Sequence, residues 1–315
     1  MIKVLLIDKI HSDLKNNLMQ NGIFCEEKTS ESKDQILKSI HKYTGIILRS
    51  RLKIDKYFIN KASNLKFIAR FGSGMENIDL KEAKKYKIKC INAPKGNSNA
   101  VGEHTLGLLL SLTKKIQVSS LEVKDGKWER EQNRGVEISD KTIGIIGYGN
   151  AGTAFSKKLL GFGCKVLAYD KYKKKIKNKY VKQSSMNKIF KNADILSLHI
   201  PLTEETKYLI DNEYLNKFSK NIFLINTSRG KIIKTNDVIK NIKSGKIIGA
   251  GLDVLENENT NFEKLNSLKT NEMNFLKKSS KVILTPHIAG WSHESNILMS
   301  EILTKKILSL LKSIK

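Results

Sequence analysis

Apolar residues fall into short runs that recur along the whole chain: "KVLLID" (3–8), "GIIL" (45–48), "LKFIARF" (65–71), "KCINAP" (89–94), "TIGIIG" (142–147), "KVLAYD" (165–170), "ILSLHIP" (195–201), "IFLINTS" (222–228), "IIGAGLDV" (247–254) and "KVILTPH" (281–287). Runs of this length with little polar alternation fit strands buried on both faces. Between them the apolar positions return at helical intervals. Strand and helix in alternation predict parallel sheets covered by helices on both sides. The stretch "NAVGEHTLGLLLSLTKKI" (99–116) predicts one long helix able to bridge two domains. A boundary near its start divides the chain into residues 1–98 plus 290–315 and residues 99–289. The expected class is α/β, with two doubly wound parallel-sheet domains.

The positions of the chemistry-bearing residues narrow the reading. Arg49, Arg70, Gly147, Asp170, Pro201, Arg229, Asp253 and His287 all lie at or just past the C-terminal ends of these runs. In open parallel sheets that is the edge where ligands bind. Eight such residues point to a single crevice.

Composition removes several classes. A chain of 315 residues, 40% apolar, is long enough for two buried cores. No apolar run approaches the ~18 residues that span a bilayer. "MIKVLLIDKI" turns polar too soon for a signal peptide and reads as a first strand. Cys25, Cys90 and Cys164 are far apart, odd in number and without metal-ligand spacing, which predicts reduced thiols in the cytoplasm and no metal. The net charge of +26 invites a nucleic-acid partner. The excess is nearly all Lys, spread evenly, as an AT-rich coding sequence would produce, and no nucleic-acid or membrane partner is expected. The densest run, "KYKKKIKNKY" (171–180), reads as a solvated loop and helix start.

One motif carries cofactor chemistry. "TIGIIGYGNAG" (142–152) is a strand, a G-x-G-x-x-G turn and a helix start. Gly147 permits the tight turn, Gly149 lets the backbone approach a pyrophosphate, and Gly152 allows close helix–strand packing. The helix N-terminus offers N–H donors and a positive dipole end to phosphate. Asp170 ends the next strand, where a carboxylate accepts from a ribose 2′-hydroxyl and repels a 2′-phosphate. NAD is therefore expected over NADP, with Lys171 and Lys173 as the nearby cations that would argue otherwise.

Seven stretches in order, "RFGSGMENIDL", "NAPKGNSNAVGEHTLGLLL", "GIIGYGNAG", "LHIPLTEETKYLI", "INTSRG", "GAGLDVLENE" and "TPHIAG", resemble the D-isomer-specific 2-hydroxyacid dehydrogenases over essentially the whole chain, most of all the short D-3-phosphoglycerate dehydrogenases. The resemblance implies a flavodoxin-like substrate domain, a Rossmann NAD-binding domain, a cleft between them and a homodimer built on the cofactor domains. It places the catalytic residues at Arg229, Glu258 and His287, with Glu256 as the nearby alternative carboxylate. It adds Asn150, Ala151, Ile200, Pro201, Thr227, Ser228, Asp253 and Gly290 to the cofactor contacts. Three features depart from the family pattern: Asn259 stands where Pro is usual, the stretch from Glu258 to His287 is longer, and "GWSHES" replaces a commoner Gly-Ser or Ala-Thr. Longer relatives carry a C-terminal domain that binds serine, and this chain ends at "KKILSLLKSIK", so no serine feedback through such a domain is expected.

The residue types suit hydride transfer. An imidazole, with a reference pKa near 6.5, takes the hydroxyl proton as hydride leaves, and a carboxylate on its other nitrogen fixes the tautomer. Arg229 can hold the substrate carboxylate and polarise the C2 oxygen. His104, in the bridging helix, is expected to serve packing between the domains. Of 57 basic residues only six are Arg, and two of these, Arg49 and Arg51, stand in "RSR" after a strand. With Arg70 and the backbone N–H groups of Ser73 and Gly74, they are the expected substrate-binding set, "RSR" forming half of a phosphate clamp. The expected reaction is oxidation of 3-phospho-D-glycerate to 3-phosphohydroxypyruvate for serine synthesis. The alternatives are a hydroxypyruvate/glyoxylate reductase, a D-lactate dehydrogenase, or an NAD-sensing co-repressor. Arg130 and Arg134, near Trp128, are candidates for a dimer contact.

Overall fold

A computed structural model describes residues 1–259 and 270–314. The chain forms two compact units, Met1–Ser98 with the residues from Trp291 onward, and Asn99–Glu258 with the segment that ends at Gly290. Ten residues of the long stretch after Glu258, 260–269, lie outside the described residues.

The first unit alternates β1 (Lys3–Leu6), α1 (Ser12–Gln20), β2 (Phe24–Glu27), α2 (Lys33–Leu37), β3 (Gly45–Leu48), α3 (Lys56–Lys61), β4 (Phe67–Arg70), α4 (Leu80–Lys85) and β5 (Lys89–Asn92). All its strand pairs are parallel, in the order β2-β1-β3-β4-β5. Successive residues of β1 serve opposite faces, as the pleat requires. Val4 and Leu6 meet Leu14 and Leu18 of α1, while Leu5 and Ile7 meet Ile36, Phe58 and Ile59. The C-terminal helix, His293–Ile314, joins the first of these faces through Met299, Leu303, Ile307 and Leu311. These residues are four apart, the spacing that keeps one helical stripe on a sheet.

The second unit begins with α5 (Ser98–Thr113) and α6 (Ile116–Lys124) and continues β6 (Thr142–Ile146), α7 (Asn150–Lys158), β7 (Lys165–Tyr169), β8 (Val181–Gln183), α8 (Met186–Asn192), β9 (Ile195–Leu198), α9 (Asn212–Asn216), β10 (Ile222–Asn226), α10 (Thr235–Lys243), β11 (Ile247–Leu252), α11 (Asn271–Lys278) and β12 (Val282–Leu284). The sheet is parallel, ordered β12-β11-β10-β9-β6-β7-β8. The strand order reverses between β6 and β9, the switch point where such sheets bind ligands. The register brings Ile146, Tyr169, Leu198, Asn226, Leu252 and Leu284 to one level. Gly147, Asp170, Thr227, Asp253 and Thr285 therefore leave the sheet along a single edge.

Three expectations differ from the structure. The helix expected over 99–116 ends at Thr113, because Lys115 takes a left-handed φ of 53° and starts α6 in a new direction. The run 171–180 is a loop as expected, but it leads into β8 rather than a helix. β2, "FCEE", was not among the apolar runs; as an edge strand it buries little and carries acids. No described helix is long and apolar enough to cross a membrane.

Candidate active site

The turn from β6 to α7 is shaped by its three glycines. Gly147 has a φ of +88°, and a Cβ there would sit 2.3 Å from the His199 carbonyl oxygen. A Cβ on Gly152 would sit 2.1 Å from the Gly147 carbonyl oxygen. Gly149 differs: nothing lies within 4 Å of where its Cβ would be, and Asn150 beside it is exposed. Two glycines thus close the turn and the third leaves open space at the N-terminus of a nine-residue helix. That is the shape a pyrophosphate needs, and the loop fits a dinucleotide.

Asp170 stands beside this turn. Its Oδ2 accepts from the Tyr148 amide at 2.8 Å, and Oδ1 accepts from the amides of Tyr172 and Lys173 at 3.0 Å each. A carboxylate has about four acceptor positions, so after these three amides one remains for a ribose hydroxyl. The neighbouring cations are engaged. Lys171 pairs with Glu205, and Lys173 Nζ donates to the Tyr148 carbonyl at 3.1 Å and lies over the Tyr148 ring. Neither is set out for a 2′-phosphate. After β9, Ile200 is half-buried and Pro201 exposed. The His199 ring packs on Phe155 and hydrogen-bonds Ser197, and removal from water pushes its pKa down to about 3, so it is neutral.

The β10 end is organised by Asn226. Its Oδ1 accepts from the Ser228 amide (3.1 Å) and hydroxyl (2.7 Å), and its Nδ2 donates to the Arg229 carbonyl at 3.0 Å. The side chains of Thr227 and Ser228, expected at the cofactor, are buried and turned inward. Arg229 is half-buried, with Nη1 donating to the Ser228 carbonyl at 2.6 Å.

Asp253 follows β11 with its side chain wholly shielded. Its Oδ1 accepts from the Thr285 hydroxyl (2.7 Å) and the Ile288 amide (2.9 Å), and Oδ2 from the Ala289 amide (2.9 Å). Burial alone would raise this carboxyl, but hydrogen bonds from His104, Thr285, Ala289 and Ile288 bring it below the usual range. Asp253, expected at the cofactor, thus anchors the 285–289 loop with its carboxylate. His287, inside that loop, has a φ of 56° and donates its amide to the carbonyls of Asp253 and Thr285. A left-handed histidine persists only where its surroundings fix it. Its Nδ1 lies 2.7 Å from Glu258 Oε2. Glu258 is held in turn by the Leu255 amide on Oε1. Glu256, two residues earlier, accepts from the Thr235 amide at 2.9 Å and takes no part. His104 Nε2 lies 3.0 Å from Thr285 Oγ1 and 3.4 Å from Asp253 Oδ1, both within the second unit.

The two arginines of the expected phosphate clamp have different surroundings. Arg51 donates Nε and Nη2 to the Ile7 carbonyl (3.1 and 2.6 Å), Nη2 again to Lys28 (3.0 Å) and Nη1 to Glu31 (2.6 Å). Four of its five N–H groups are spent on main chain, and Asp8 lies 3.7 Å away. Arg49 is sandwiched between Phe71 and Trp291, each ring 4.8 Å from the guanidinium carbon, and Nη2 donates to Asn296. Arg70 folds over Gly72, where a Cβ would lie 1.4 Å from Nη1. The following turn is pinned by Asn92 Nδ2 on the Ser73 carbonyl and by the Ser73 hydroxyl on Asn97, both 2.6 Å, and Gly74 is half-exposed. Phe71, Asn97, Trp291 and Asn296 were not singled out, since nothing in their spacing pairs them with these positions. Among the described residues no cluster of His, Cys, Asp and Glu is arranged to hold a metal.

Residues 106–289 match the sequence model of the D-isomer specific 2-hydroxyacid dehydrogenase, NAD binding domain. The chain is 33% identical to a D-3-phosphoglycerate dehydrogenase of Archaeoglobus fulgidus over 99% of its own length, and spans 58% of that relative. It is 36% identical to a hydroxypyruvate reductase of Thermotoga maritima, covering 89% of this chain and 90% of the relative. The crystal structure of D-lactate dehydrogenase from Aquifex aeolicus, complexed with NAD and lactic acid, superposes with a TM-score of 0.86 at 27% identity, covering 98% of this chain and 96% of that one.

Proposed function

The chain belongs to the D-isomer-specific 2-hydroxyacid dehydrogenases, a family of NAD-dependent oxidoreductases, and we propose that its reaction is the oxidation of 3-phospho-D-glycerate to 3-phosphohydroxypyruvate, the entry to serine synthesis. The observation that carries the chemistry is the 2.7 Å contact between His287 Nδ1 and Glu258 Oε2. A carboxylate only accepts, so Nδ1 carries the proton and the lone pair of neutral His287 sits on Nε2. Nε2 takes the C2 hydroxyl proton as hydride leaves the same carbon, and returns it in the reverse reaction. Bound NAD supplies the hydride acceptor, and Gly147, Gly149, Gly152 and Asp170 would hold it, with Asn150, Ala151, Ile200, Pro201 and Gly290 along the same edge. Arg229 holds the substrate carboxylate and polarises the C2 oxygen as charge develops there. Arg49 and Arg70, with the Ser73–Gly74 backbone, are the candidates for the phosphate.

A second reading, a hydroxypyruvate/glyoxylate reductase, is favoured by Arg51. With that arginine committed to backbone carbonyls, the phosphate loses one of its expected partners. The two readings separate in one assay: NADH oxidation with 3-phosphohydroxypyruvate, hydroxypyruvate, glyoxylate and pyruvate at equal concentrations. The leading reading expects kcat/KM for the phosphorylated acid to exceed the others by about tenfold or more, the ~1.4 kcal/mol of one charge-assisted contact. A preference for hydroxypyruvate or glyoxylate would replace it by the second.

We further propose a homodimer made through α6 and the residues that follow it. No residue of α6 is buried, and Ile116, Leu121, Val123 and Trp128 are each exposed. An apolar surface of that kind calls for a partner. Sedimentation at micromolar concentration is expected to give twice the chain mass, and replacing Leu121 and Trp128 by Ser is expected to give monomers. A monomeric wild-type protein would refute the interface.

A further inference from the structure

Two adjacent residues of α5, His104 and Thr105, reach the two loops on which the proposed chemistry depends. Counting protons fixes the direction of each bond. The Thr105 hydroxyl donates to the Val101 carbonyl at 2.6 Å, so its 3.0 Å contact with Thr227 Oγ1 is one it accepts. Thr105 has no solvent exposure. This stretch of helix is therefore fastened to the loop that leads into Arg229. On the next residue, the Thr285 hydroxyl has its single proton on Asp253 Oδ1. His104 Nε2, facing the Thr285 oxygen at 3.0 Å and the Asp253 carboxylate at 3.4 Å, finds only acceptors. It must be the donor, and neutral His104 is the Nε2–H tautomer.

The pair it donates to has a particular place. Thr285 lies two residues before His287, and Asp253 also holds the amides of Ile288 and Ala289 just after it. The left-handed backbone of His287 is thus set from both sides by one carboxylate, and His104 is the side-chain donor that reaches this carboxylate from another element.

We propose that His104 is a positioning residue of the reaction: its Nε2–H holds the Thr285–Asp253 pair and so sets where His287 presents Nε2 to the substrate hydroxyl. The inference rests on the proposed dehydrogenase reading. Displacing a catalytic group by a fraction of an ångström penalises the chemical step far more than binding. Removing the donor should therefore act on kcat, and a neutral donor of similar reach should restore it.

The experiment compares wild type, His104→Leu and His104→Gln, using whichever acid of the four-acid panel the wild type reduces best, with NADH affinity read by fluorescence. His104→Leu is expected to lower kcat about 10- to 50-fold with NADH affinity unchanged within about twofold. His104→Gln, which keeps an N–H donor, is expected to recover most of that loss. With 2-deuterated hydroxy acid in the oxidative direction, His104→Leu should also show a larger isotope effect on kcat than wild type. A kcat for His104→Leu equal to wild type would overturn the inference and leave the dehydrogenase reading intact. A loss shared equally by His104→Gln, or a weakening of NADH binding in step with kcat, would overturn it too. A wild-type protein that reduces none of the four acids would remove the reading and the inference together.

Discussion

Replacing His287 by Asn is expected to lower kcat by about 10²- to 10⁴-fold, the range for removing a positioned general acid–base group, with NADH affinity held within about twofold. Asparagine is the informative substitute because of the backbone. His287 has a φ of 56°, and Asn is among the few non-glycine residues that accept left-handed geometry. The amide bonds from His287 to the Asp253 and Thr285 carbonyls then survive, as do the Asp253 bonds to Ile288 and Ala289. The substitution leaves the loop in place and removes a group able to take and return a proton. His287→Ala would confound the two effects, since a β-carbon with no compensating polar group is a poorer occupant of that conformation. Single-turnover reduction of the best acid of the panel, followed by NADH absorbance, is the direct measurement. A His287→Asn protein within tenfold of wild type would mean that another group moves the proton, and the Glu258 contact would then be structural.

The parts of this fold that could be read in the sequence are those written in side chains. β6, β7, β9, β10 and β11 were visible because both faces of each are covered, so nearly every residue is apolar. Of the four edge strands, β2 (FCEE) and β8 (VKQ) each carry two polar residues, and their composition merges with that of loops. Gly147 and Gly152 were legible because the need for a bare Cα is absolute at each. The choice between Glu256 and Glu258 was not open to spacing alone, since both follow Asp253 within five residues. It is made by the turn at 255–258, where the Glu258 amide returns to the Leu255 carbonyl and the Leu255 amide meets the Glu258 carboxylate. The contacts of His104 were out of reach for a related reason. Its partners, Thr285 and Asp253, stand some 150 to 180 residues away, and a helical pattern says which residues share a face but not which loop that face will meet.

The arginines were the hardest to read, and Arg51 gives the second large effect. Arg51→Met is expected to destabilise the first unit by about 3–5 kcal/mol, while leaving KM for 3-phosphohydroxypyruvate within about twofold. The acceptors of its guanidinium are the carbonyls of Ile7, Lys28 and Glu31, and a backbone carbonyl has no signature in a sequence. Methionine keeps most of the stem and removes every donor. The carbonyls at the ends of β1 and β2 then lose their partners in a partly dry site, at about 1–3 kcal/mol for each group left unsatisfied. Asp8 suffers as well. Burial already raises its carboxyl, opposed by the Arg49 amide and by the charges of Arg51 and Arg49. Removing one member of such a buried pair costs about 3–5 kcal/mol because the other is stranded. Against a typical total of ~5–15 kcal/mol, that is a large fraction. The two tryptophans allow the unit to be followed separately: Trp291 belongs to the first unit and exposed Trp128 to the second. In a Trp128→Phe background the fluorescence of Trp291, stacked on Arg49, reports unfolding of the first unit in urea. A midpoint that falls sharply with KM unmoved fits a structural arginine. An unchanged midpoint with KM raised tenfold for the phosphorylated acid alone would restore Arg51 to the phosphate, and would require its backbone contacts to exchange when substrate binds.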